Sequence, residues 1–96
     1  MVWERKRIKE WLDGDTPKFS SGEVARLARV RAHEKHQFGG PTATKTAAGM
    51  SGRSKGFVYV KQIARDRWGR PIVEIKNKDG SINDRMIKKG YKNKGR

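Results

Sequence analysis

The 96-residue sequence predicts a small, mainly β domain: five short strands in a Greek-key barrel, with one or two short helices. Three observations carry this reading. Short β-prone runs are separated by turn signals at Asp13-Gly14, Ser20 to Glu23, Trp68-Gly69 and Asp79-Gly80. Only Ser81 to Lys89 has a complete helix signature. With 33% hydrophobic and 35% charged residues, the chain can fill one modest core and no second domain.

The elements follow in order. Ile8 to Leu12 mixes apolar and charged residues and reads as a strand entering the Asp13-Gly14 turn. Pro17 to Phe19, Ser20 to Glu23 and "VARLARVRA" then read as strand, turn and strand. A helix over Pro41 to Met50 is opposed by three threonines and Gly49. Phe57 to Val60 is β-rich. "RDRWGRPIVEI" is a hairpin bent at Trp68-Gly69, with Ile72 to Ile75 as its return strand. In the final helix Ser81 is the cap, Asp84 stands at the capping-box position, Ile82 and Met86 share a face, and Gly90 stops it. This strand count fits a barrel of the OB type, whose outer face often binds nucleic acid. The domain covers 1–91, and 92–96 form a basic flexible tail.

Charge narrows the function. Lys and Arg number 24 against 10 Asp and Glu, a net +14, and no acidic residue lies between Lys35 and Arg65. Such an excess fits a polyanion, since each neutralised phosphate releases counterions. A membrane-surface protein would need a basic amphipathic helix with large apolar residues opposite, and the sequence has none. There is no cysteine, which excludes disulfides and thiolate zinc sites. No apolar run is long enough to span a bilayer, and Met1 to Glu10 lacks an apolar signal core. The chain therefore reads as intracellular, although a mature secreted form would look the same; a monomer is favoured.

Three stretches combine charges in ways that could carry chemistry: Asp13 to Thr16, "RLARVRAHE" over Arg26 to Glu34, and "DRWGR" over Asp66 to Arg70. Each alone has an ordinary structural reading as a hairpin turn, a strand–loop junction or a surface arginine. "GPTATKT" is a near miss for a phosphate loop, because Thr44 stands where glycine is needed before Lys45. His33 and His36 have a conceivable metal spacing but no partner cluster.

Taken together and in order, the three stretches resemble the staphylococcal nuclease (thermonuclease-like) family. A fourth match is "DGSINDRMIKKGY", and "GGPTATKTAAGMSG" stands where that family opens a helix with Gly-Pro. The resemblance covers about residues 8–91. It implies an OB-fold barrel that hydrolyses DNA and RNA phosphodiesters with a divalent cation, Ca2+ in the family, with Mg2+ or Mn2+ as alternatives. It makes Asp15 a metal ligand, with the Ala32 carbonyl as a further donor. Glu34 becomes the carboxylate beside the attacking water, and Arg26 with Arg70 the phosphate-binding pair. Arg31, Lys35, Arg67, Trp68 and Tyr91 become nucleic-acid contacts, Trp68 standing for the family's Tyr. Asn83 becomes a structural brace, and His33 an auxiliary acid–base group.

The chain also departs from the family. Arg31 replaces the second metal-ligating Asp and is expected to pair with Asp15, because a guanidinium cannot ligate a cation. His33 replaces a Pro, and the family's C-terminal helix is missing. Two rival readings stay open. One is a non-catalytic nucleic-acid-binding module on the same barrel. The other is a ribosome-associated or architectural basic protein, which explains the charge but not the matched motifs.

Overall fold

Backbone pairing in the computed structural model, which describes residues 2–31 and 40–92, gives six strands and two helices among those residues. They are β1 (Glu4–Asp13), β2 (Thr16–Phe19), β3 (Arg26–Leu27), α1 (Gly40–Gly52), β4 (Phe57–Arg65), β5 (Pro71–Asn77), β6 (Gly80–Ser81) and α2 (Ile82–Lys88). The sheet is a mainly antiparallel open path, β2-β1-β4-β5-β3, with β6 on β5; only β3 and β5 run parallel. Backbone bonds also run between the segments around β2 and β3, from Phe19 N–H to Glu23 O, Ala25 N–H to Pro17 O and Leu27 N–H to Asp15 O, while the sheet path stays open.

Alternation decides which face of each strand is buried. On β4, Val58 and Val60 point inward; on β5, Val73 and Ile75 do. They meet Ile8, Phe19, Ile82 and Met86, the last two at 0% exposure, in one core. β1 is irregular against β2 between Ile8 and Glu10 and again between Trp11 and Asp13. These shifts turn Trp11 inward, where its indole N–H donates to Ser51 Oγ at 3.0 Å.

Three expectations change. The helix expected to be weak is the longest element, with 13 residues, because Ala43, Ala47 and Met50 form a buried stripe against the core. The "VARLARVRA" strand shrinks to Arg26–Leu27, since Arg29 takes a left-handed φ of 65° and bends the chain. The strand count rises to six because Gly80–Ser81 pairs with β5 before α2 begins. Ser81 does cap α2, accepting the Asp84 N–H at 3.1 Å, but the Asp84 carboxylate goes to Arg29 (2.9 Å). Lys92, placed in a free tail by the sequence, bridges Val30.

Candidate functional site

The β1–β2 turn brings Asp15 inside. Its side chain lies at the root of the β2–β3 hairpin, with the residue only 5% exposed. The Thr16 hydroxyl donates to Oδ1 at 2.7 Å, and Arg26 Nη2 reaches Oδ2 at 3.5 Å. The cause is register: Leu27 N–H bonds the Asp15 carbonyl at 2.9 Å, which fixes the preceding residue, Arg26, beside the carboxylate. The arginine that the structure sets on Asp15 is thus Arg26. Arg31, expected in that role, is exposed and gives its backbone N–H to Tyr91 O at 2.9 Å.

β3 also carries Arg26 to β5. Arg26 is in register with Ile72, so β3 stands beside the start of β5, and Arg70 lies in the turn just before that strand. Arg70 is held by its own hairpin. Its Nε donates to Asp66 Oδ2 at 2.8 Å, while the Arg70 and Trp68 N–H groups both donate to Asp66 Oδ1 at 2.9 Å. Gly69 closes the turn at φ 84°. Burial acts to raise the Asp66 pKa, but the donations from Arg70 and Trp68 outweigh it and leave the carboxyl below its ordinary 3.8. Trp68 is 64% exposed, with the Arg67 and Arg70 guanidinium groups 4.5 and 5.4 Å from its ring centre.

The structure thus brings Asp15, Arg26, Arg70, Arg67 and Trp68 to one end of the β3–β5 pair. Arg31 and Tyr91 are neighbours through the backbone, at the exit of β3. Ala32, His33, Glu34 and Lys35 lie outside the described residues. No cluster of three His, Cys, Asp or Glu able to hold a metal occurs among the described residues. No helix among them is long and apolar enough to cross a membrane. Asp66 is the site residue to which sequence reasoning gave no role. Its signal was present in "DRWG", an Asp two residues before a main-chain N–H that it can accept and three before a turn glycine. Neither a comparison with protein-family models nor one with curated proteins finds a match for this chain.

Proposed function

We propose that this chain is a small nuclease on an OB-type barrel, hydrolysing phosphodiester bonds of DNA or RNA with a divalent cation. The fold half of the reading is supported by the mainly antiparallel sheet with its two helices, and by backbone bonds between the segments around β2 and β3, which lie at the two ends of an open sheet path. The functional half is carried by one observation: a buried carboxylate, Asp15, beside Arg26, on a strand that pairs with β5 just after the turn where Asp66 holds Arg70.

The chemistry follows from those groups. Two guanidinium groups bind the phosphate oxygens and stabilise the negative charge that grows as the bond to phosphorus forms. Arg70 loses little freedom on binding, because Asp66 already fixes it. Glu34, by the resemblance, orients the attacking water and accepts its proton. A hard cation suits carboxylate oxygens such as those of Asp15, which the β1–β2 turn holds inside the fold. When bound it supplies Lewis-acid polarisation of a phosphate oxygen.

A second reading, a binding module without cleavage, is favoured by the presence of Arg26 on Asp15 and of Arg31 where the resemblance requires an acidic ligand. Single- and double-stranded DNA and RNA, each incubated with Ca2+, Mg2+, Mn2+ or chelator, separate the two. The nuclease reading expects metal-dependent cleavage that falls about 100-fold in Arg70→Ala, and calcium affinity that rises in Arg31→Asp. Binding of nucleic acid without cleavage in every metal would leave the second reading standing.

A further inference from the structure

The outer face of β1, β4 and β5 carries cations and rings that the site above does not use. Val58 and Val60 face the core, so their neighbours face out: Phe57 is 40% and Tyr59 46% exposed. Register places Arg7 opposite Phe57 and Arg5 opposite Tyr59 on one side, and Lys76 opposite Tyr59 on the other. The Arg5 and Arg7 guanidinium groups lie 4.4 and 5.6 Å from the Phe57 ring centre. Trp3 is flanked in the same manner by Lys61 at 5.0 Å and Lys76 at 4.2 Å.

This face has little negative charge to oppose it. Glu74 is in register with Lys61, but both its carboxylate oxygens are taken by Arg29, at 3.0 and 2.9 Å. Glu4 is in register with core-facing Val60, which puts it on the other side of the sheet. The face is also remote from the first site. From Arg70 to Lys76 the extended chain runs about 20 Å, at roughly 3.3 Å per residue.

We propose that this face is a binding surface for single-stranded nucleic acid, separate from the Asp15–Arg26–Arg70 site. It rests on nucleic acid being the partner, as in the reading above, and not on cleavage. Alternating rings and cations suit a strand whose bases are free to stack while its phosphates meet arginine and lysine. A duplex hides its base faces, so the rings would have nothing to stack on. A second copy of the chain fits poorly, because an isologous contact would press this cationic face against the same cationic face of the other copy.

The test uses the full chain with chelator present and a short oligothymidylate as probe. Trp68→Phe leaves Trp3 as the accessible indole, since Trp11 is 4% exposed. Oligothymidylate should quench Trp3 fluorescence, and a blunt duplex of equal length should not. Tyr59→Ala should weaken oligothymidylate binding about tenfold through lost stacking. The Arg5→Ala/Arg7→Ala double variant should reduce the salt slope of log affinity by about 1.4, at about 0.7 per phosphate. Oligothymidylate binding that leaves Trp3 unquenched, equal affinity for the duplex, or dimerisation lost in the Arg5/Arg7 variant would overturn the proposal. Preference for anionic vesicles over the oligonucleotide would overturn it as well. Trp3 quenching without cleavage in any metal would sink the nuclease reading alone; cleavage without quenching would sink this face alone.

Discussion

Asn83 shows how one side chain can hold three parts of the fold together. It is fully buried; its Oδ1 accepts the Ile75 N–H at 2.9 Å and its Nδ2 donates to the Ala28 and Val73 carbonyls at 2.9 and 3.0 Å. Asn83→Ala removes all three bonds and strands a buried N–H among apolar neighbours. It should cost about 3 kcal/mol or more in urea unfolding, and a loss under about 1 kcal/mol would show that water replaces the amide. This brace was legible through the resemblance. The Arg26–Asp15 contact was not, because it depends on the register that places Leu27 against Asp15, which residue types alone do not encode. Asp66 supplies a pH prediction. Its folded pKa lies below 3.8, so its contribution is complete above the unfolded value of about 3.9 and is lost as pH falls through the folded pKa. A carboxyl NMR titration should place the Asp66 midpoint under 3.8 and shift it upward in Arg70→Ala; a midpoint unmoved by that substitution would detach Arg70 from the turn.

The two helices show opposite relations between local and tertiary signals. α2 carries its own start and stop, Ser81 and Gly90, and was read almost to the residue. α1 has Pro41 in its first turn, while its threonines and Gly49 argue against it, yet it is helical from Gly40 to Gly52. Burial of Ala43, Ala47 and Met50 and the Trp11–Ser51 bond outweigh weak propensity, and that packing partner is invisible until β1 is folded beside it. The shortened β3 has a similar origin. Arg29 holds a left-handed conformation while its guanidinium binds both Glu74 and Asp84, so tertiary ion pairs override the strand pattern of its neighbours. The turn leaving α1 yields the prediction at this scale. Gly56 has φ +84°, its carbonyl accepts the Ile8 N–H at 2.7 Å, and a Cβ there would lie 2.9 Å from the Ile8 carbonyl oxygen. Backbone atoms cannot swing aside as a side chain can. Gly56→Ala should therefore cost about 2 kcal/mol or more and lower hydrogen-exchange protection first at the β1–β4 pair. Gly49→Ala, with nothing within 4 Å of the added Cβ and no positive φ, should be neutral or stabilising by up to about 1 kcal/mol.

For the molecule as a whole, the balance of charge sets both partner and stability. Among the described residues Asp15, Glu23, Asp66, Glu74, Asp79 and Asp84 sit in ion pairs, and the net charge of the chain is +14. The cations therefore repel one another across a domain whose axes span 34, 31 and 24 Å. Salt screens both kinds of interaction. The exposed pairs are worth about 0–1 kcal/mol each and lose part of that, while the excess repulsion is relieved over a Debye length of about 8 Å at physiological strength. With 24 basic side chains against 10 acidic ones, relief should win. The melting temperature should rise as sodium chloride is added, and a gain of about 1 kcal/mol would read as about 4–8 °C in a domain of this size. A polyanion should do more than salt of the same ionic strength, because it binds where folding has gathered the cations and so stabilises the native state by linkage. Short polyphosphate, added in a thermal melt matched for ionic strength with sodium chloride, measures this directly. An equal shift in the two would mean that the positive charge is merely dispersed. A polyphosphate shift that survives Arg26→Ala/Arg70→Ala but shrinks in Arg5→Ala/Arg7→Ala would assign most of the gathered charge to the outer face of β1 and β4.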